Sequence, residues 1–161
     1  MIVLTLKTIE DTYELARQLA EKVEKGDVVF LKGDLGSGKT EFARGFIRAL
    51  TSSTEEVPSP TFSLVQLYET AKGTVWHFDL YRLENATQAW ELGLEEAIGE
   101  GISLIEWPER LERLSFKNVL EVDFTIIQGT DAREVKISFG EKLKDRLTFL
   151  KDNQKDGTAS L

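Results

Sequence analysis

Cysteine is absent from the 161 residues, which excludes a disulfide framework, a thiolate nucleophile and a cysteine-ligated metal. Histidine occurs once, at His77, so a zinc site has no partner ligands of the usual kind. No stretch reaches the roughly 18 consecutive apolar residues that a membrane-spanning helix needs. The start, Met1-Ile-Val-Leu-Thr-Leu-Lys7, has no basic leader and is too short for a signal peptide. It reads as an edge strand of a soluble cytoplasmic protein. Basic residues are in deficit: 20 Lys and Arg stand against 28 Asp and Glu, for a net charge of -8. That balance opposes direct nucleic-acid binding, which needs a cationic footprint. With one Met and 30% charged residues, the composition also hints at a heat-tolerant source.

What is present is enough for a core. Hydrophobic residues make up 41% of the chain, which excludes disorder over most of its length. The length fits one domain, expected over residues 1–150, with a frayed polar tail at 151–161.

Periodicity supplies the elements. Leu15, Leu19 and Val23 recur every four residues and predict a helix over Asp11–Val23, with Thr8 and Asp11 as its capping signal. Val28–Leu31 is a short apolar run of the kind buried on both faces of a sheet. A glycine-rich loop over 33–38 leads into a helix over Lys39–Leu50. After a polar connection with Pro58 and Pro60, Leu64–Tyr68 and Thr74–Leu80 pair across a Lys72-Gly73 turn. Asn85 caps a helix running to Leu92, with Gly93 as its terminator. Ile102–Ile105 is a strand, and Pro108 opens a helix carrying Leu111 and Leu114. Val119–Ile127 and Arg133–Phe139 form a late hairpin. Strands interleaved with helices predict an α/β fold, a mixed and mostly parallel sheet with antiparallel hairpin additions.

The chemistry starts at Gly33-Asp-Leu-Gly36-Ser37-Gly38-Lys39-Thr40, a full G-x-x-x-x-G-K-[ST] phosphate loop. Its glycines let backbone N–H groups approach phosphate oxygens, and the following helix points its positive end at the same charge. Lys39 reaches the β- and γ-phosphates, and the Thr40 hydroxyl ligates Mg²⁺. A random chain of this length matches about once in 100, and the strand-loop-helix context sharpens the signal. The loop touches only phosphates, so it does not separate ATP from GTP.

A D-x-x-G switch is missing, because Leu80, Tyr81 and Arg82 follow Asp79. Asn153-Gln-Lys-Asp156 only approximates a guanine-reading motif and sits in the polar tail. The arginine-rich lid of nucleotide kinases is not evident. A small ATPase is the simple remaining reading. Hydrolysis needs an acid to hold the metal or place water, and Asp79 and Glu106 both end strands. The blander alternative for either, a solvated strand-end acid, is the less favoured one. His77 reads as structural more readily than catalytic, Trp76 and Trp90 as packing residues, and Glu95 and Glu96 as a solvated face. Arg82 is either an internal arginine finger or, as is commoner, an exposed or ion-paired side chain.

The combination of the phosphate loop with Ser59-Pro-Thr61-Phe62, His77-Phe-Asp-Leu-Tyr-Arg82 and Ile105-Glu-Trp-Pro-Glu109 resembles the TsaE (YjeE) family, in the right order over roughly residues 8 to 140. The resemblance implies a P-loop NTPase-like three-layer fold and an ATPase of weak activity alone. Its hydrolysis would support TsaD and TsaB in making threonylcarbamoyladenosine at position 37 of tRNA, with tRNA met only through that complex. It also implies that Thr40 and Glu106 ligate Mg²⁺, that Gly36 to Thr40 wrap the phosphates, and that Asp79 supports hydrolysis. Ser59 to Phe62, with Thr61, would sense the γ-phosphate. Trp107 would lie beside the nucleotide or a partner, and Thr12 near the adenine. Glu41 departs from the neutral residue frequent in the family. Two other functions stay open: a nucleotide-gated binding module, and a small P-loop kinase that would put phosphate on an acceptor instead of water.

Overall fold

The computed structural model describes residues 1–112, 116 and 118–155. In chain order the elements are β1 (Ile2–Leu6), α1 (Ile9–Lys22), β2 (Val28–Lys32), α2 (Lys39–Leu50), β3 (Val65–Thr70), β4 (Gly73–Asp79), α3 (Ala86–Glu91), α4 (Leu94–Glu100), β5 (Ile102–Glu106), β6 (Val119–Ile126), β7 (Arg133–Phe139) and α5 (Phe149–Lys155). One seven-stranded sheet runs in the order β1-β7-β6-β2-β5-β4-β3. Its centre, β6-β2-β5-β4, is parallel throughout. Antiparallel β7 and β1 extend one side, and β3 closes the other. The expected mixed α/β sheet is present, with β1 at an edge as its sequence predicts.

Both faces of the sheet are covered, which explains the unbroken apolar run of β2. Val29 and Leu31 face α1 and α2, where Leu15, Leu19, Phe42 and Phe46 join Leu104, Val122 and Phe124 in one core. Val28 faces the opposite layer with Phe78 and Ile105, against Ala89, Leu94, Ala97 and Leu111. The period of two along each strand therefore sorts side chains into two separate cores. This is a three-layer arrangement.

Local signals act as their chemistry dictates. The Thr8 hydroxyl accepts from the Asp11 N–H at 3.2 Å, and the Asp11 carboxylate accepts from the Thr8 N–H at 3.3 Å, closing a capping box on α1. Three expectations change. Gly93 does end α3 in the left-handed region, but it also starts α4, a helix that the sequence reading misses. The segment opened by Pro108 is one short 3₁₀ turn, Pro108–Leu111, and Leu114 lies outside the described residues. The expected tail boundary at 150 falls inside α5, whose Leu150 is buried in the first core; residues 156–161 lie outside the described residues. Trp76 stacks on Phe78 as a packing residue, whereas Trp90 is exposed. Glu95 and Glu96 are exposed, as a solvated face should be.

Candidate nucleotide site

Parallel strands bring their carboxyl ends to one edge of the layer, where ligands of open α/β sheets bind. The register fixes which residues meet there. Leu31 pairs with Glu106 across β2 and β5, and Glu106 pairs with Asp79 across β5 and β4. The loop after β2 is the phosphate loop, and α2 starts at Lys39. Three successive strand ends thus deliver the loop and both candidate acids to one place.

A cavity of about 720 Å³ opens there. It is lined by Gly36, Ser37, Gly38, Lys39 and Thr40 of the loop, by Thr12 of α1, by Ser59 and Thr61, and by Asp79, Glu106 and Trp107. The structure therefore gathers the sequence-predicted site residues, with one exception. Gly33 does not line the cavity; it stands behind the loop, where its carbonyl accepts from the Lys39 ammonium.

The loop end of the cavity holds a pair of hard oxygens. The Thr40 hydroxyl donates to Glu106 Oε1 at 2.9 Å, and the other oxygen of that carboxylate, Oε2, lies 2.6 Å from His77 Nε2. Neighbouring ligands of a Mg²⁺ octahedron with bonds of about 2.0–2.1 Å stand about 2.9 Å apart. Thr40 Oγ1 and Glu106 Oε1 thus have the separation and the donor chemistry that Mg²⁺ takes. No group of three or more acidic or His residues able to hold a metal occurs among the described residues. One carboxylate and one hydroxyl is the sparse protein contribution usual where phosphates and water complete the shell.

Lys39 is buried, and its ammonium sits 3.5 Å from the centroid of the Trp107 ring. Burial holds its pKa below the usual lysine range, against the pull of Glu106, Glu109, Asp79 and Asp34. Trp107 adopts φ +60°, in the left-handed region that bulky residues rarely enter. That conformation directly follows Glu106 and brings the indole over the lysine.

Asp79 is buried and ties down the Ser59–Phe62 segment. Its Oδ1 accepts from the Tyr81 N–H at 3.1 Å, and its Oδ2 from the Thr61 hydroxyl at 3.3 Å. Thr61 in turn lies 2.7 Å from the Ser59 hydroxyl. Burial raises the Asp79 pKa above the usual carboxylate value; the Tyr81 N–H opposes this, and the Glu106 charge adds to it. With a raised pKa, the stabilising contribution is full below the ordinary Asp value and is lost as pH rises through the folded one. Ionised Asp79 therefore costs stability at neutral pH. We expect Asp79→Asn to melt above wild type at neutral pH, with the gain vanishing toward about pH 4. Thermal melts across that range check it, and a gain that persists unchanged into acid contradicts it.

Arg82 is exposed and outside the cavity lining, with its guanidinium 4.8 Å from the centroid of the exposed Phe62 ring. That placement matches the commoner of its two readings. A different arginine reaches the loop. Arg133, at the start of β7, donates from Nε to the Ser37 carbonyl at 3.0 Å and from its terminal nitrogen to the Gly36 carbonyl at 3.4 Å. Nothing in the local sequence marks it, because 96 residues separate it from Ser37. The His77 contact with Glu106 is missed for a similar reason, although His77 and Asp79 share one face of β4 by strand period. Glu41 also lines the cavity, held by the Tyr13 hydroxyl at 2.5 Å and by Arg44.

The chain is similar to known proteins in both sequence and fold. The sequence profile described as Threonylcarbamoyl adenosine biosynthesis protein TsaE matches residues 6–135. The tRNA threonylcarbamoyladenosine biosynthesis protein TsaE of Aquifex aeolicus is 43% identical over 133 residues, covering 82% of this chain and 92% of that protein. The protein of the same name from Bacillus subtilis is 36% identical over 129 residues, covering 78% of each. The crystal structure of Bacillus subtilis YdiB superposes with a TM-score of 0.75 at 29% identity, covering 95% of this chain and 97% of that one.

Proposed function

The chain belongs to the TsaE family of threonylcarbamoyl adenosine biosynthesis, and from that premise we propose that it binds ATP with Mg²⁺ and hydrolyses it in support of the TsaD–TsaB complex. The observation that carries this reading is the convergence of Lys39, the Thr40–Glu106 oxygen pair and Asp79 on one cavity at the phosphate loop. The N–H groups from Gly36 to Thr40 hold the phosphates, aided by the positive end of α2. Lys39 neutralises the β- and γ-phosphates from a desolvated position. Thr40 and Glu106 would hold Mg²⁺, which would offset the negative charge of the phosphates. Asp79 orients the attacking water, and its link to Thr61 tells the Ser59–Phe62 segment what occupies the site. Thr12 and Trp107 border the nucleotide.

The acidic chain meets tRNA only through its partners, consistent with a charge of -8. No helix among the described residues is long and apolar enough to cross a membrane, and the cytoplasm is the proposed setting. The test is Mg²⁺-dependent phosphate release from ATP with and without TsaD and TsaB. We expect the pair to stimulate release; a rate that ignores the pair would sink the partner assignment and leave only a phosphate-loop ATPase.

A second reading has its own observation. Phe62 is 84% exposed, and its loop is tied through Thr61 to Asp79. ATP binding could thereby set a recruiting surface, with hydrolysis incidental. Full support of the downstream reaction by a nonhydrolysable analogue over many turnovers selects that module. A stop after one turnover selects the ATPase.

A further inference from the structure

We infer that His77 is a positioning residue for Glu106, fixing which carboxylate oxygen faces the metal side of the site; this rests on the nucleotide reading above. His77 is completely buried in β4, and Glu106 is almost completely buried in β5 beside it. Both side chains are buried from bulk solvent, so a contact of 2.6 Å between His77 Nε2 and Glu106 Oε2 constrains how the carboxylate lies.

The proton's position follows from the partners. Two lone pairs facing each other at that separation would repel, so Nε2 carries hydrogen and donates to Oε2. His77 Nδ1 has no hydrogen-bond partner. A bare acceptor there is cheaper than a bare donor, which selects the tautomer with hydrogen on Nε2. The donated bond occupies Oε2 and prevents the carboxylate from rotating about its last torsion, which is otherwise broad. Oε1 is thereby left toward Thr40, at 2.9 Å from its hydroxyl. A free glutamate at the end of a strand would sample both faces of that torsion; this one is held before any ligand arrives.

Groups that orient a metal-binding side chain in this way alter metal affinity by about 10–100-fold when removed. The strand arrangement makes the pairing economical. His77 and Asp79 share a face of β4, and Asp79 pairs with Glu106 in the sheet. A single segment therefore supplies both the residue that orients the glutamate and the second acid of the cavity.

The test is Mg²⁺ titration of ADP binding by calorimetry, with ADP binding in EDTA as the metal-free reference. It uses two polar substitutions of similar cost to the fold. His77→Gln can place its amide N–H near the position of Nε2, whereas the amide of His77→Asn stops near Nδ1, short of Glu106. We expect the Asn variant to need about tenfold more Mg²⁺ than wild type, with the Gln variant close to wild type and metal-free ADP affinity unchanged in both. An Asn variant with the wild-type Mg²⁺ midpoint overturns the assignment, as does a Gln variant displaced as far as Asn. Wild-type protein whose ADP binding does not respond to Mg²⁺ overturns instead the nucleotide reading on which the assignment rests.

Discussion

Lys39→Ala is expected to lower ATP turnover by a factor on the order of 10²–10³, the usual cost of deleting one preorganised group that meets transition-state charge. The protein should stay folded. Lys39 is 5% exposed, and its ammonium is shared between the Gly33 carbonyl and the face of Trp107. Those contacts do not outweigh its desolvation, since burial leaves its pKa below the usual lysine range. A folded-state pKa depressed in this way means that the charged form costs stability at neutral pH, a cost that fades only as pH climbs toward the ordinary lysine value. Removing the charge should therefore leave the melting temperature equal or raised while turnover collapses. That opposition between stability and activity marks a functional group held against its own preference. Steady-state phosphate release and a thermal melt on the same preparation check it, and unchanged turnover would remove Lys39 from the site.

Gly33→Ala should produce the largest loss of stability of any single methyl addition in the loop. Gly33 has φ +136°, a region strained for any L side chain. A Cβ there would stand 2.5 Å from the Phe124 carbonyl oxygen and 2.6 Å from Ser37 Oγ. Phe124 belongs to β6 and to the main core, so its backbone cannot yield cheaply. Backbone strain of about 1–3 kcal/mol plus the clash amounts to roughly 3 kcal/mol or more, or about 6–12 °C in a domain of this size. Gly36→Ala is the control. Gly36 also has a positive φ, +76°, yet an added Cβ meets nothing within 4 Å. Its loss should stay near the cost of the backbone conformation alone, about 1–2 kcal/mol. Equal losses for the two variants would show that contact with β6 does not set the position of the loop.

These two glycines show what sequence can and cannot convey. The spacing of Gly33, Gly38, Lys39 and Thr40 announces a phosphate loop because the chemistry constrains consecutive residues. Its flanking strand and helix are equally legible, since β2 is buried on both faces and Phe42 and Phe46 repeat on one side of α2. Asp79 and Glu106 stand out as strand-end acids, but their chemistry alone does not separate their roles; only the family resemblance does. What the sequence does not show is their partners: Glu106 reaches Thr40 and Asp79 reaches Thr61. Arg133 and His77 are hidden for the same reason: their partners lie 96 and 29 residues away, and no local pattern encodes a contact at that range. α4 escapes notice because Gly93, a proper helix terminator, serves at once as the start of the next helix. Trp90 misleads in the other direction, since a large aromatic on a short amphipathic segment can remain exposed.

The proposed ATP site, completed by Mg²⁺, is the cavity between the phosphate loop and the ends of β4 and β5. Calorimetric titration of the intact chain with ATP in the presence of Mg²⁺, run beside Lys39→Ala, addresses it most directly. We expect one saturable site in the wild-type chain, weakened by removal of Mg²⁺ and strongly weakened in the variant. Binding that is indifferent to both the metal and Lys39 would contradict it and place the nucleotide elsewhere.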